Sequence, residues 1–586
     1  MRNLLLVLAG AAQLSAQVYP AGPQVVTFFS SVDDSDQFYA LYVPRRFDHS
    51  RKYPLVVSLH DAGSNHRLNL RRVFGRGNRV GETDAEASRY FPPFKDVDFI
   101  VVSPLARGTL GYKGIVEKDV YDMLADVKRR FPIDEDRLYL TGISMGGGGA
   151  LWLGLTRPDM WAAIAALCPQ TPPGTENLIS NASNLPVRLF HGAQDFLVPV
   201  SVSRKWNTLL ADAGSPVEYT EFPSLKHNVW DAAYRDGSIF TWFSTHTRNR
   251  FPSAVHLRSS QYKYASAYWV EITGLTPGTL SSIDATFTAA NKLSIHTSHV
   301  QSFMLKPDGH PMYRAALPLE VILDGTVLKT KITAFSNLGN GWRPLPLPQA
   351  AGSKRAGIEG PLSEVFSGRH IYVYGTGGSP GDDEINRRRD LAKAAAEWST
   401  PTNRLQLNLR VAMDRELNDA DLRSANLVLF GSRETNGVIA RMATQLPFHL
   451  NAGAADYGLF YVWPMGGRTV AINSGLLFST GVEYTKRIPF RFLVPATVVD
   501  SFGDYILFKG SLENVVVEGR FDAHWNVPPG DLEKMVATGA VSAAGRRSRA
   551  ETGTGTGVAK SGIAETGAAK SGAAASRTAV PRSKAR

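Results

Sequence analysis

Two kinds of hydrophobic spacing divide the chain. Over residues 39–250, short apolar runs such as YPLVVSLH, DFIVVSPL and RLYLTG alternate with segments of helical spacing. Residues 120–131 are one such segment, because their apolar side chains recur on one helical face and Pro132 ends it. Apolar strands that alternate with helices are typical of a mostly parallel sheet covered on both faces, so we predict an α/β fold here.

The period changes after this region. Over residues 264–331, the runs AYWVEITGL, SIDATFTA and KLSIHTS alternate apolar and polar positions and are broken by Gly, Pro and Asn, which predicts a small antiparallel β-module. Residues 349–357, QAAGSKRAG, have the composition of a linker. Strand-like RHIYVYGTGG and ANLVLFGS then alternate with helix-like segments, so we predict a second, mixed α/β region.

The two ends have other patterns. Residues 1–16 combine Arg2, the apolar run LLLVLAGAAQL and the cleavage-like pair Ser15–Ala16, which predicts a signal peptide removed before Gln17. That run is short for a membrane span, and no later run reaches about 18 apolar residues, so no span is expected after cleavage. With Cys168 as the single cysteine, no internal disulfide is possible, and we expect a secreted or periplasmic bacterial protein.

The chain's net charge of +11 comes mostly from its C-terminal end. From Arg546 onward nine basic residues face two acidic ones, in low-complexity sequence such as ETGTGTGVAKSG. Such composition buries too little apolar surface to order a chain, so we predict a solvated, disordered tail. Attachment of the tail to acidic polymers or membrane surfaces is the alternative, and no nucleic-acid partner is expected.

The predicted organisation is a signal peptide (1–16), an α/β domain (17–252), a β-rich module (264–345), a mixed α/β domain (358–530) and a tail (531–586).

The segment RLYLTGISMGG places Ser144 where a buried strand turns sharply into a helix. Gly142 and Gly146 leave room for the strained backbone of such a turn, and the glycines at 147–149 let the helix pack close to the sheet. This is the pattern of a nucleophile elbow, so we predict that Ser144 is a nucleophile. The alternative is an inert serine in a glycine-rich turn.

A nucleophilic serine needs a base and an acid that orients the base. Asp195 follows the apolar strand of LFHGAQDFLVP, and His227 follows the strand of VEYTEFPSLKHNVW, in the order Ser, Asp, His that goes with this elbow. His191 is the competing base, but it stands at a strand end and is expected to brace the loop. We predict oxyanion donors at the backbone N–H groups of Met145 and Ala62, with Asp61 as the alternative to Ala62.

The stretches LHDAGSN, DRLYLTGISMGGGGA, LPVRLFHGAQDFLVPV and FPSLKHNVWDAAYRDGSIFTWF resemble secreted α/β-hydrolase esterases. The nearest groups are polyhydroxybutyrate-depolymerase-like and feruloyl-esterase-like proteins, which overlap with prolyl oligopeptidase catalytic domains. The resemblance covers residues 39–252 and implies a Ser144–Asp195–His227 triad that hydrolyses esters, polymeric plant cell-wall esters or polyesters among them. These families commonly have His-Gly where this chain has His60–Asp61, and an inward carboxylate there would weaken oxyanion binding.

Two other functions remain open. A prolyl-oligopeptidase-type peptidase uses the same triad, but a propeller domain usually precedes its hydrolase domain, whereas here the hydrolase pattern follows the predicted signal peptide. A catalytically weak carbohydrate- or surface-binding protein is the second alternative, which the complete set of Ser144, Asp195 and His227 argues against. No cofactor and no metal are expected, because GTGGSPG departs from dinucleotide-binding spacing and the 13 histidines show no metal-ligand spacing.

Overall fold

The computed structural model describes residues 19–108, 111–345, 352–399, 407–482 and 498–543. The predicted signal peptide and most of the predicted tail lie outside these ranges. Eight strands of the first region have the bounds β1 (Gly22–Ser30), β2 (Ser35–Val43), β3 (Tyr53–Leu59), β4 (Ile100–Pro104), β5 (Ile133–Ile143), β6 (Ala163–Leu167), β7 (Val187–Gly192) and β8 (Val217–Phe222). They form one sheet in the order β1-β2-β4-β3-β5-β6-β7-β8. The hairpin β1–β2 is antiparallel and joins β4 in antiparallel fashion, while β4, β3 and β5 to β8 run parallel.

Helices cover both faces of this sheet. Their bounds are α1 (His66–Val73), α2 (Asp84–Ala87), α3 (Ile115–Arg130), α4 (Met145–Thr156), α5 (Ser201–Asp212), α6 (Trp230–Ala233) and α7 (Ser238–Ser244), with 3-10 turns at Thr175–Asn184 and Arg235–Gly237. Alternate residues of β3 enter opposite cores: Leu55 and Val57 pack on the side of α3 and α4, and Val56 packs on the side of α1 and α7. The predicted α/β fold is confirmed, and its strands are continuously apolar because both faces are buried. Among the described helices, none has the length and apolarity needed to cross a bilayer.

The second region is a β-sandwich of two five-stranded sheets. The strand bounds are β9 (Ala254–Ser259), β10 (Ser266–Ala267), β11 (Val270–Leu275), β12 (Ser281–Ala289), β13 (Lys292–Ser298), β14 (Val300–Leu305), β15 (Leu319–Leu323), β16 (Thr326–Thr330), β17 (Ala334–Asn337) and β18 (Trp342–Arg343). The sheets have the orders β16-β15-β13-β12-β9 and β10-β11-β14-β17-β18. Trp269, Phe303 and Phe335 lie in the core between them.

Two details of the sandwich differ from the prediction. Its first strand, β9, begins at Ala254, ahead of the predicted boundary at 264, because β9 pairs with β12 along the edge of one sheet. The pairing of β13 with β15 is parallel, although the other pairings in these sheets are antiparallel. The start of the sandwich at β9 therefore depends on its pairing with β12, and no pattern within residues 254–259 alone indicates that pairing.

The third region has a mixed sheet with helices. Its strands are β19 (His370–Tyr374), β20 (Arg410–Met413), β21 (Asn426–Phe430), β22 (Phe448–Leu450), β23 (Tyr457–Met465), β24 (Arg468–Gly475), β25 (Tyr505–Lys509), β26 (Val515–Gly519) and β27 (Val541–Ala543). Its helices are α8 (Leu362–Val365), α9 (Asp382–Ser399), α10 (Asp419–Ser424), α11 (Gly437–Met442) and α12 (Pro529–Ala537). The main sheet, β20-β19-β21-β24-β23-β25-β26, is parallel up to β24 and antiparallel beyond it, as a mixed α/β region requires.

The predicted tail starts too early, at 531. Helix α12 continues to Ala537, and β27 pairs with β22 in antiparallel register. Met535 is fully buried and Val541 nearly so, in the core of the third region. The sequence analysis did not predict this burial, because the tail as a whole has few apolar residues. Strand β27, which carries Val541, is held by pairing with β22, a strand about 90 residues earlier in the chain.

We expect a chain that ends at Leu532 to unfold at a lower temperature than one that ends at Ala543. Burying one aliphatic or Met side chain stabilises a fold by about 1.5–3 kcal/mol, and the shorter chain loses Met535 and Val541. Thermal melting of both chains, with the full-length protein as the reference, measures the difference. Equal melting temperatures for the two shortened chains would show that α12 and β27 contribute nothing.

Candidate active site

The turn between β5 and α4 holds Ser144 in a strained backbone conformation. Its φ is 54° and its ψ is −113°, a region that residues other than glycine rarely adopt. The Ser144 N–H donates to Leu167 O at 2.7 Å, and Gln170 N–H donates to Ser144 O at 3.1 Å. The end of β6 therefore holds the turn from both sides, and the serine lies at the C-terminal edge of the parallel strands.

Close approach of backbones explains the glycines around Ser144. A Cβ at Gly146 would lie 2.2 Å from Leu59 O, and one at Gly142 would lie 2.1 Å from the carbonyl oxygen of Gly146. A Cβ at Gly148 would lie 1.7 Å from Gln170 O. No larger residue fits these places without a shift of the backbone, so the predicted close packing of α4 on the sheet is confirmed.

Asp195 and His227 meet at the same edge of the sheet. His227 Nδ1 donates to Asp195 Oδ2 at 2.6 Å. The other oxygen, Oδ1, accepts from the backbone N–H groups of Leu197 at 2.8 Å and Val198 at 2.9 Å. Burial opposes ionisation of this carboxyl, but the hydrogen bonds from His227 and the backbone outweigh it and lower the pKa of Asp195. The charged carboxylate fixes the proton of His227 on Nδ1 and leaves Nε2 as the basic atom.

His191 is built into the core behind Asp195. Its Nδ1 is 2.7 Å from Ser203 Oγ, its Nε2 is 2.9 Å from Val198 O, and Nε2 is also 3.2 Å from Asp195 Oδ2. The ring is fully buried, and burial lowers its pKa. Both nitrogens are engaged inside the protein, so His191 braces the Asp195 loop, as predicted.

The end of β6 brings Ser144 and His227 together. Cys168, the residue after β6, donates its thiol to His227 O at 3.5 Å, and the preceding Leu167 accepts the Ser144 N–H. Among the described contacts, the Ser144 hydroxyl makes no hydrogen bond to the His227 ring. Such catalytic bonds commonly form or tighten only in the substrate complex. The segments that carry Ser144 and His227 therefore both contact the end of β6, and His227 in turn bonds Asp195.

The two predicted oxyanion donors belong to the start of α4 and to the loop after β3. Met145 is the first residue of α4, where an N–H has no acceptor inside the helix. Ala62 is exposed in the loop after β3. The Asp61 carboxylate bonds Arg72 Nη1 at 2.8 Å, and the same guanidinium bonds Asp84 at 3.1 Å. The negative charge of Asp61 therefore has a cationic partner on α1.

Arg72 also reaches the loop of the predicted base. Its guanidinium lies 4.6 Å from the centroid of the Trp230 ring, and that ring lies 6.3 Å from the His227 ring. Trp230 itself is nearly buried. Arg72 thus connects the Asp61–Ala62 loop with the His227 loop, a role that the sequence analysis missed. The only signal was the pair Arg71–Arg72 in the last turn of a helix that also carries Leu68, Leu70 and Val73.

Two apolar side chains stand in solvent directly after Asp195. Phe196 is 75% exposed and Leu197 is 51% exposed. Exposed large apolar side chains next to a polar cluster mark a surface that can receive an apolar part of a ligand. They lie in the loop that holds the predicted acid, so an apolar group bound there would be close to the triad.

Three potential metal ligands also come together behind the triad. The ligand atoms of Cys168, His191 and Asp195 lie within 4.8 Å of one another, a grouping that sequence spacing did not reveal. Burial raises the pKa of the Cys168 thiol, which disfavours the thiolate that binds metals. Both nitrogens of His191 are already hydrogen-bonded to Val198 and Ser203. These features favour a protonated Cys168 thiol and a hydrogen-bonded His191 ring, which support the Asp195 carboxylate without a metal.

A family model described as Phospholipase/Carboxylesterase matches residues 113–242, a range that includes Ser144, Asp195 and His227. No curated protein matches the chain significantly. Among solved structures, the chain is similar to a thermostable esterase, with 25% identity over 39% of this chain and 63% of that chain and a TM-score of 0.31. The chain thus spans less than two thirds of that esterase.

Two further solved structures are similar over nearly the same share of the chain. One is a ferulic acid esterase from Anaeromyces mucronatus in complex with ferulic acid, at 17% identity over 39% of this chain and 92% of that chain, with a TM-score of 0.30. The other is an S-formylglutathione hydrolase from Agrobacterium tumefaciens, at 17% identity over 40% of this chain and 98% of that chain, with a TM-score of 0.30. The family match over residues 113–242 and the sheet order make the first region similar to α/β-hydrolases of the esterase type.

We expect Arg72→Met to lower kcat for an aryl ester at least tenfold, with a smaller change in KM. Losing the guanidinium frees the Asp61 carboxylate to face the predicted oxyanion site, and loss of one oxyanion donor typically costs about 10²–10³ in kcat. Arg67→Met on the same helix is the matched control, because its guanidinium contacts Phe91 and Arg89 O rather than Asp61. Steady-state kinetics of both variants provide the measurement, and wild-type kcat in Arg72→Met would contradict the positioning role.

Proposed function

We propose that this chain is a serine hydrolase that cleaves carboxylic esters, with Ser144 as nucleophile, His227 as general base and Asp195 as the acid that orients it. The observation that carries the proposal is the hydrogen bond of 2.6 Å between the buried Asp195 and the partly buried His227, at the sheet edge where the strained turn presents Ser144. The Phospholipase/Carboxylesterase match over residues 113–242 supports the reaction class.

The proposed reaction begins when Ser144 Oγ attacks the ester carbonyl carbon. His227 Nε2 takes the hydroxyl proton, and the Asp195 carboxylate stabilises the imidazolium that forms. The carbonyl oxygen becomes an oxyanion, which accepts hydrogen bonds from the N–H groups of Met145 and Ala62. The bond to the alcohol oxygen then breaks, and His227 gives its proton to the departing alcohol.

The acyl-enzyme is resolved by water. His227 removes a proton from the water as it attacks the acyl carbon, and the second tetrahedral intermediate uses the same two N–H groups. Collapse of this intermediate returns the proton to Ser144 Oγ and releases the carboxylic acid. Because Asp195 is hydrogen-bonded on both oxygens, it keeps His227 in one orientation through both halves of the cycle.

The substrate side of the proposal rests on Phe196 and Leu197. Their exposed side chains beside Asp195 would contact an aryl or alkyl group of the ester. Such a contact suits the polymeric plant cell-wall esters or polyesters that the sequence resemblance implies.

We also propose action outside the cytoplasm, because residues 1–16 have the pattern of a signal peptide. An intracellular protein that retains Met1 would contradict that location.

We expect Ser144→Ala to fold normally and to lose several orders of magnitude in ester hydrolysis, since only binding and oxyanion effects would remain. Asp195→Asn and His227→Ala should be severely impaired, and the double variant scarcely worse than His227→Ala, because triad residues act as a unit. Hydrolysis of a p-nitrophenyl ester, with thermal melting to confirm folding, measures these effects. Wild-type turnover in Ser144→Ala, or an active His227→Ala beside an inactive His191→Ala, would overturn the assignment.

We expect faster cleavage of esters than of peptide amides. Amides demand protonation of a poor leaving group, and a peptide also needs a site for its charged ends. Arg72, the cation beside the oxyanion loop, is already bound to Asp61 and Asp84 and is not free to hold a peptide carboxylate. The comparison is kcat/KM for p-nitrophenyl and feruloyl esters against proline-containing peptide anilides. Faster cleavage of the anilides would favour the peptidase alternative.

A further inference from the structure

Three phenylalanines are the aromatic side chains that stand largely in solvent, among the side chains that the structure describes. Phe29 is 63% exposed, Phe38 is 42% exposed and Phe196 is 75% exposed. Large aromatic side chains usually bury most of their surface, and a cluster of exposed ones marks a surface that receives apolar groups. Phe196 follows the predicted acid of the triad, so the position of the other two relative to the candidate active site is the question.

The hairpin of β1 and β2 carries Phe29 and Phe38 beyond the end of its neighbour β4. Strand β4 ends at Pro104, which pairs with Tyr39 of β2. Phe38 is the residue before Tyr39, and its carbonyl oxygen accepts from Leu105 N–H at 2.9 Å. Because β2 runs antiparallel to β4, the start of β2 lies at the sheet edge where the parallel strands end. The two phenylalanines therefore belong to the edge that carries the candidate active site.

Phe29 and Phe38 share one face of this hairpin. Phe29 pairs with Asp36, and Phe38 pairs with Thr27. This register makes the two phenylalanines diagonal neighbours, a separation of about 7–8 Å that aromatic side chains can span. The Phe38 ring also stacks on the ring of His66, the first residue of α1, at 6.3 Å between centroids. Burial lowers the pKa of His66 to about 4, so its ring is uncharged near neutral pH. Phe29, Phe38 and His66 form an uncharged surface, which we call the hairpin patch.

The hairpin patch and Phe196 lie on opposite sides of Ser144. In the sheet order, β4 and β3 separate β2 from β5, the strand that leads to Ser144, and β6 alone separates β5 from β7, which leads to Phe196. Neighbouring strands are about 4.8 Å apart, so across the strands Phe38 lies roughly 14 Å from Ser144 on one side and Phe196 roughly 10 Å on the other. A substrate bound across Ser144 would therefore extend toward apolar side chains in both directions.

The charged side chains near the hairpin patch stand at its rim. Asp36 is exposed opposite Phe29, and Asp34, in the turn of the hairpin, is bonded to Arg369 at 2.6 Å. Arg67, the second residue of α1, places its guanidinium over another phenylalanine ring at 5.5 Å. Asp36 is the carboxylate that a ligand would meet at the far end of the patch, so a ligand that ends in a carboxylate is disfavoured there.

We propose, on the basis of the proposed ester hydrolysis, that the hairpin patch is a second apolar subsite and that the substrate is an ester with apolar groups on both its acyl and its alcohol side. Phe29 and Phe38 contact one of these groups, and Phe196 and Leu197 contact the other. Each contact removes apolar surface from water, so each side of the ester adds to binding. An ester with one polar side, such as an aromatic acid on a sugar, fills one subsite alone.

The test is steady-state hydrolysis of four esters that differ on each side: ethyl acetate, ethyl hexanoate, hexyl acetate and hexyl hexanoate. We expect the highest kcat/KM for hexyl hexanoate. Combining Phe29→Ser with Phe38→Ser should reduce the gain from a longer chain at least tenfold on one side of the ester. Combining Phe196→Ser with Leu197→Ser should do the same on the other side. Phe29→Ser alone changes the more exposed position of the hairpin, so it keeps the test valid if the double variant unfolds.

The matched control combines Ile322→Ser with Val327→Ser. These exposed aliphatic side chains pair between β15 and β16 of the sandwich, and their loss should leave all four kcat/KM values unchanged. Unchanged chain-length ratios in the Phe29→Ser variants would overturn the second subsite, and so would loss on the same side of the ester from both pairs of substitutions.

A separate measurement distinguishes the subsite from the reaction. A wild-type protein that hydrolyses none of the four esters would overturn the proposed function. Calorimetric binding of hexyl hexanoate to Ser144→Ala then tests the subsite without turnover, and adding Phe29→Ser and Phe38→Ser should weaken that binding at least tenfold. Equal affinity with and without these two substitutions would overturn the subsite.

Discussion

The contact between the first turn of α4 and the ends of β3 and β6 is the constraint on which the candidate site depends. Gly146 packs against Leu59 O and Gly148 against Gln170 O at distances that exclude a Cβ. Because the helix begins so close to the sheet, Ser144 must adopt its positive φ. The same contact brings the first turn of α4 against the end of β3, since a Cβ at Gly146 would also lie 2.7 Å from His60 O. A shift of this helix by one side chain's width would displace Ser144 and the N–H group of Met145.

Around that turn, the protein holds its charges in partnered arrangements. Asp195 is buried but keeps a lowered pKa, because His227 and two backbone N–H groups bond to it. Asp61 lies in the loop of the predicted oxyanion donor, and Arg72 compensates its charge. A carboxylate left unpaired at either place would alter the field in which an oxyanion forms. Different residues therefore control the two properties of the site. The glycines of α4 determine where the backbone of Ser144 lies, and Arg72 and His227 balance the charges of Asp61 and Asp195.

The second and third regions join the first through polar contacts and through apolar ones, such as Tyr264 and Leu407 in its core. Glu117, Lys263 and Glu364 come from three different regions and meet at one junction. Glu359 binds the backbone N–H groups of Tyr262 and Lys263 at 2.6 and 2.8 Å, which ties the chain ahead of α8 to the sandwich. Such a junction holds the regions in register and leaves a cavity between them.

The sequence by itself determined the features that depend on neighbours along the chain. The strand, glycines and serine of RLYLTGISMGG are consecutive, so their spacing was enough to predict the elbow at Ser144 and the close packing of α4. Strand ends followed by polar loops likewise pointed to Asp195 and His227, because parallel strands place their C-terminal ends at one edge. Only the tertiary structure decided the rest. The pairing of Asp61 with Arg72, the start of the sandwich at β9, the packing of α12 and β27, and the cavity at Glu117 all join residues distant in sequence, and no local periodicity encodes which distant partner a side chain will meet.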